Sequence, residues 1–347
     1  MESVRLDAKK KADEMYNYKL YDFGKFRDFC KYSWKTAKGV SDKYGGTRLG
    51  VWLHMIWCNL RYGASHTLDY TLFELYKKRG CEINRFLTYR RFWKLVKQFD
   101  KETFYHLIDK VNQYRSYDEF IKRDWLYTDD DAVTDDTIRQ FIAKHKKVLV
   151  KPISSDSGKG IYSISESDIN AIGELIEERK QHPFLLEELC ENCAELKAIC
   201  PSSLNTLRID TMVNTEGEIE IFSVHLRCGI GESVVDNWGA GGVAYPIDIS
   251  TGVINAPGLD FQGKRYIHHP GTEKVMIGYK PPRYEEACQF AKDIIRSNMK
   301  VVYAGLDLAI LEDRIELIEV NFPPAHFFLQ AVDQIGRNQL TKRMQKA

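Results

Sequence analysis

The chain has 347 residues, 44% of them apolar, which is enough to bury a sizeable core and fits two or three compact units better than one. Its 50 basic and 49 acidic side chains nearly cancel, so no whole-molecule field exists to hold DNA, RNA or an anionic membrane by counterion release. Any anion it binds has to be held locally.

Met1 to Asp7 is charged and lacks the apolar centre and cleavage site of a secretory signal, which predicts a protein that is not exported. Residues 1 to about 105 are dense in Lys, Glu, Tyr, Phe and Trp, with apolar residues returning at helical intervals, so a helical region is expected there. The apolar stretch Leu49 to Leu60, with His54 inside it, is too short to cross a bilayer and predicts a buried helix, with an interfacial helix and peripheral membrane contact as the alternative. Asp69 to Tyr76 puts Leu72, Leu75 and Tyr76 on one helical face and breaks at Gly80 after the basic turn Lys77-Lys78-Arg79. A helix is predicted over Lys101 to Asn112, and Thr128 to Asp131 is a loop with a solvated acidic cluster.

From about residue 148 short β-branched runs alternate with helical stretches, an α+β or α/β texture. Strands are predicted at 148–151, 160–164, 184–187, 206–213, 219–227, 304–311 and 314–320, and helices at 167–180, 188–199 and 284–298. Eight cysteines follow no disulfide framework, which points to a reducing cytoplasm. Cys190-Glu191-Asn192-Cys193 lacks a second ligand pair at finger spacing and reads as part of the 188–199 helix, not as a zinc or redox site.

Three segments can do chemistry. Lys151-Pro152 runs into the small, polar loop Ser154 to Gly160, which can turn backbone N–H groups onto phosphate oxygens, while the Lys151 ammonium adds a point charge; it is not a Walker A loop, because a strand pattern follows. Phe184 to Leu189 is a strand ending in an acidic pair, where backbone can meet an adenine edge. The strands 305–311 and 315–321 form a hairpin about Glu312-Asp313-Arg314 that brings Asp307 opposite Glu319, with Asn321 on the same side. Two carboxylates and an amide oxygen suit a magnesium ion that also holds nucleotide phosphates. Asp307 lies among Leu306, Leu308, Ala309 and Ile310, where an unpaired carboxylate is costly, so something must compensate it.

The order of lysine strand, small-residue loop, acidic hinge, Asp and Glu-x-Asn resembles the ATP-grasp superfamily. More closely, Tyr62 to Ser65 with Asp69-Tyr70 and Phe73, Pro201 to Ile209, Asp236-Asn237 before Gly239 to Gly242, His269-Pro270 and Gly305 to Asp307 resemble the sugar-transfer-associated ATP-grasp family. The resemblance spans roughly residues 40 to 325. It implies an ATP-grasp fold, two α+β subdomains clamping ATP, preceded by a mainly helical N-terminal region: 1–105 helical, 106–190 the N-terminal or lid subdomain, 191–340 the C-terminal subdomain with the metal site. It also implies roles. Lys110 and Lys151 grip phosphates, Ser154, Ser157, Gly158, Lys159 and Gly160 form the lid, and Glu187, Glu188 and Leu189 form the adenine hinge with Asn192 near the ribose. Asp307, Glu319 and Asn321 hold magnesium, two ions in all, and Arg208 and Arg227 neutralise the transferred phosphate. Asn237 belongs to a second loop near the acceptor, and His269 is an acid-base candidate there. Asn192-Cys193 stands where Gln-His is usual, and His269-Pro270-Gly271-Thr272 replaces His-Pro-Asp-Thr. The activity implied is carboxylate-amine ligation in polysaccharide or glycan synthesis, acting on small-molecule or glycan substrates; a kinase acting on a hydroxyl and an ATP-binding module without turnover are the alternatives.

Overall fold

The computed structural model describes residues 23–65, 68–153, 160–231, 233 and 236–345. Helices α1 (Phe23–Tyr44) and α2 (Arg48–Tyr62) form a hairpin about Gly45 and Gly46, whose φ angles of 86° and 87° favour glycine, and Thr47 caps α2 by accepting the Gly50 N–H. The burial expected of 49–60 is one-sided: Met55, Cys58 and Tyr62 are buried, whereas Leu49, Leu53, Trp57 and Leu60 are exposed. A helix that is apolar all round here has only one face on a core. The 69–76 stretch is a π turn (Leu68–Leu72) followed by a 3-10 turn (Leu75–Lys77), and it still buries Leu72 and Leu75.

Four short helices follow, α3 (Gly80–Ile83), α4 (Tyr89–Val96), α5 (Lys101–Leu107) and α6 (Lys110–Ser116). The single helix expected over 101–112 is split because Asp100 and Asp109 each act as an N-cap, accepting the N–H groups of Thr103 and Asn112.

A four-stranded antiparallel sheet in the order β1-β4-β2-β3 is built from β1 (Trp125–Tyr127), β2 (Lys147–Pro152), β3 (Tyr162–Ser165) and β4 (Phe184–Glu188). Helices α7 (Asp135–His145) and α8 (Ile169–Glu178) pack on it through Ile138, Ile142, Leu175 and Ile176. The helix expected over 188–199 shrinks to α9 (Ala194–Lys197). Residues just before it use their hydrogen-bonding groups elsewhere: the Cys193 N–H donates to Ile310 O, and the Asn192 side chain is spent on the backbone of Asn205.

The seven-stranded sheet has the order β11-β10-β5-β6-β7-β8-β9, antiparallel throughout. Its strands are β5 (Thr206–Val213), β6 (Ile219–Cys228), β7 (Val243–Pro246), β8 (Gly258–Asp260), β9 (Arg265–Tyr266), β10 (Tyr303–Ile310) and β11 (Ile315–Asn321). Alternation gives β5 an apolar side, Leu207 and Ile209, that joins Val224, Leu226, Leu306 and Leu308 against α10 (Tyr284–Ser297), and a polar side bearing Thr206, Arg208 and Asp210. β5 and β10 are buried along their whole length, so the polar side is covered too. Two short helices, α11 (Phe328–Ala331) and α12 (Leu340–Arg343), end the described chain.

The helical region is fastened to this sheet. Ala37, Val40, Met55, Cys58 and Phe73 share one core with Trp238, Ala244, Leu259 and Phe328. Asp69, fully buried, accepts the Ser65 and Tyr89 N–H groups at 2.8 Å each and lies 2.9 Å from His326 Nε2. Gln330 adds a pair of bonds to the backbone of Leu87.

Candidate active site

The polar side of the large sheet carries a row of charge. Asp307 on β10 is the register partner of Glu319 on β11 and of Arg208 on β5, and Arg208 is the partner of His225 on β6. Cross-strand partners share a side, so these four form one line, with Asn321 and Arg227 two residues along on the same side. The Asp307 carboxylate accepts Arg208 Nε at 2.6 Å on Oδ1 and Arg208 Nη2 at 2.9 Å on Oδ2. Oδ2 also takes Arg227 Nη1 at 2.8 Å and Asn321 Nδ2 at 3.2 Å. This is the compensation the sequence demanded. Burial alone would raise its pKa; the guanidinium of Arg208 and then that of Arg227 outweigh it and hold the carboxyl at about 2.

Arg227 Nη2 donates to Asp236 Oδ1 at 2.9 Å, and the other Asp236 oxygen takes the Thr206 N–H and hydroxyl. Asp236, Arg227, Asp307 and Arg208 thus alternate in sign and balance one another. Asp210, two residues beyond Arg208, is buried and makes no ion pair among the described residues; burial pushes its carboxyl up to about 6 against the pull of Arg208 and Arg337. His225 is buried against Phe328, and burial together with Arg337 and Arg208 holds its imidazole well below its usual value.

Magnesium can be tested against these groups. Glu319 is exposed, and its carboxylate has no ion pair or hydrogen bond among the described residues. Asp307 Oδ1 receives one donor where it can take two, whereas Oδ2 is crowded, and Asn321 has turned its amide nitrogen toward it, leaving its oxygen on the other side. Hard oxygens at adjoining positions, one of them carrying unneutralised charge, fit a magnesium ion completed by phosphate and water oxygens.

A second ionic cluster sits on the two inner strands of the small sheet, β4 and β2. Glu187 accepts Lys151 Nζ at 2.8 Å, Arg123 Nε at 2.8 Å and the Tyr114 hydroxyl at 2.5 Å. Burial opposes its charge, but Arg123 and Lys151 prevail and hold its carboxyl at about 2. Burial likewise opposes the Lys151 ammonium, and Glu187 holds it above its ordinary value. Arg123 is buried and reaches the large sheet as well: Nη1 donates to Glu316 Oε1 at 3.0 Å and Leu317 O at 2.6 Å, and Nη2 to Ile318 O at 3.3 Å. Gln113 holds the neighbouring Val320 by both its N–H and its carbonyl. Sequence reasoning missed Arg123, Tyr114 and Gln113, and no signal in the local sequence separates Lys122-Arg123-Asp124 from a solvated charge run.

The remaining expected residues are scattered in role. Lys110 Nζ donates to Pro152 O at 3.3 Å, at the end of β2. Ser154, Ser157, Gly158 and Lys159 lie outside the described residues, and Gly160 turns the chain into β3. Glu188 accepts the Asp124 N–H at 3.0 Å, and Leu189 follows the end of β4. Asp124, His145 and Glu188 come within metal-like distance of one another, but Lys144 already pairs with Asp124. Asn192 is a structural clamp: its side chain bonds the Asn205 N–H at 2.7 Å and the Asn205 carbonyl at 2.9 Å, so its amide is committed away from any ribose. His269 is also committed. Its Nε2 lies 2.8 Å from Gly229 O and its Nδ1 lies 3.3 Å from the Gly271 N–H and the Thr272 hydroxyl, and burial lowers its pKa, so the neutral ring pins two loops together where an acid-base group was expected. Asn237 accepts the Gly239 N–H at 2.8 Å, capping a single 3-10 turn beside Asp236. All eight cysteines are free.

Among solved structures, the chain is similar to the ADP complex of N5-carboxyaminoimidazole ribonucleotide synthetase at 11% identity and a TM-score of 0.43, over 69% of this chain and 54% of that one. It is similar to D-alanyl-alanine synthetase A from Vibrio cholerae at 14% identity and a TM-score of 0.42, over 68% and 62%. For D-cycloserine synthetase the identity is 10% and the TM-score 0.44, over 71% of each chain. The chain spans less than two thirds of the length of the first two. No curated protein matches it. The profile of the sugar-transfer associated ATP-grasp family matches residues 94–346, a stretch that holds both sheets and every strand of the charged row, and the chain belongs to that family.

Proposed function

We propose that the chain is an ATP- and Mg2+-dependent carboxylate-amine ligase. The observation that carries this reading is the buried row in which Asp307 is shared by Arg208 and Arg227 and bonded by Asn321, beside Glu319, which has no ion pair among the described residues. Asp307, Glu319 and Asn321 hold the cations, two ions by family analogy, whose chemistry is to bridge and neutralise phosphate oxygens. Lys110 and Lys151 grip phosphates, residues 154–160 close over them, and the backbone at 187–189 meets the adenine. The two arginines of the row, whose forks are engaged by Asp307 and Asp236, supply positive charge that neutralises the transferred phosphate. No side-chain nucleophile is needed, because positioning and charge neutralisation are the protein's usual share in phosphoryl transfer. The carboxylate substrate is activated as an acyl-phosphate and the amine displaces phosphate. A uronic or other glycan carboxylate and an amino acid or amine, joined in the cytoplasm during polysaccharide assembly, fit the family. In this scheme residues 1–105 are the helical region, 106–190 the lid subdomain and 191–340 the metal-bearing subdomain.

The test is an ADP-release screen of the purified chain with Mg-ATP against pairs of uronic acids and amines, with mass spectrometry of products. ADP and phosphate released in equal amounts with an amide is the expected result. ADP with a phosphorylated alcohol and no phosphate makes the chain a kinase. A thermal shift with Mg-ATP but no ADP from any pair makes it a binding module.

A further inference from the structure

We propose that the α1–α2 hairpin is a docking surface for an anionic lipid bilayer. On α2, Leu49, Leu53, Trp57 and Leu60 recur at the spacing of one helical face and are each between 42% and 54% exposed, with no charge interrupting them. On α1, Arg27, Lys31, Lys35 and Lys38 recur at the same spacing and are all exposed. Both helices rest on one core, α1 through Ala37 and Val40 and α2 through Met55, Cys58 and Tyr62. At 100° per residue each row lies opposite the buried side of its own helix, so an apolar row and a basic row run side by side on the outer surface of this layer. Trp34 joins them. Its exposed indole lies 4.1 Å under the Arg48 guanidinium, whose Nε and Nη2 donate to the Trp34 carbonyl.

Charge chooses the occupant. Residues 27 to 62 hold seven basic and two acidic side chains, a net +5, while the rest of the chain is −4. The near-neutral total therefore hides a segregated field. A second copy docked about a two-fold axis would bring the +5 surfaces face to face, which like-charge repulsion disfavours. An anionic bilayer offers the opposite sign to the basic row and an apolar boundary to the Leu and Trp row, the division of labour in helices that lie in a membrane surface. No helix of the described chain is long and apolar enough to cross a membrane, so the contact is one of lying on the surface.

The experiment uses the full chain and co-sedimentation with vesicles of phosphatidylcholine alone or mixed with phosphatidylglycerol. Binding to the mixed vesicles only, weakening as salt is raised, is expected. Lys35→Gln with Lys38→Gln should weaken it about 25-fold, near fivefold per charge. Leu49→Gln with Leu53→Gln should weaken it about tenfold without lowering the melting temperature. Equal binding to both vesicle types, or binding to neither, overturns the proposal. So does a dimer by light scattering that Leu53→Gln disperses, which would make this face a self-interface.

Discussion

Asp307 and Glu319 face each other across one ladder yet live in different electrostatic worlds: the first is buried under two guanidinium groups, the second is exposed and has no ion pair among the described residues. Glu319→Gln keeps the shape of β11 and removes its exposed carboxylate charge, so the proposed ligase activity should drop at least about 100-fold with a melting temperature unchanged to within about 2 °C. Near wild-type turnover would contradict its assignment to the cation. Asp210 gives a pH signature. Its folded carboxyl titrates near 6, above its unfolded value, so its contribution is intact below about pH 4 and is lost as pH rises to 6. Asp210→Asn should therefore stabilise the protein at pH 7 to 8, on the order of 2–3 kcal/mol, and flatten denaturation midpoints measured between pH 4 and 6. Asp307 was legible because a lone acid in an apolar strand has to be answered. Arg123 was not, since its partners Glu187 and Glu316 lie 64 and 193 residues away.

At the scale of elements, β5 was legible to the residue and the other strands predicted from alternation to within about two, because period-two patterning and turn chemistry are written locally. Local reading failed where distant groups compete. The 188–199 helix lost its start to bonds with Asn205 and Ile310, and α2 is buried only on the face that meets the core of Phe73 and Trp238. The junction between sheets also belongs here. Arg123→Met leaves Glu187 and Glu316 buried with one cation fewer, so stability in urea denaturation should fall by about 3–5 kcal/mol. Adding Glu187→Gln should recover part of that loss, and strict additivity of the two changes would show that the pair is not coupled.

The whole molecule does not divide at the limits of its family match. A chain beginning at residue 94 keeps both sheets but removes the cover from Trp238, Ala244, Leu259 and Phe328 and leaves His326 without Asp69. Such a fragment should bind a hydrophobic dye and unfold without a cooperative calorimetric transition, whereas residues 23–345 should melt cooperatively. That dependence was invisible in the sequence, because an aromatic-rich helical stretch looks alike whether it packs on a neighbour or stands alone.

Arg123 grips β4 by one carboxylate and β11 by another carboxylate and two carbonyls. With Gln113 fastened to Val320 beside it, this buried contact lets neither sheet slide past the other without stranding charge in the interior. Any relative motion of the two sheets is therefore limited to arrangements that keep Arg123 between Glu187 and Glu316.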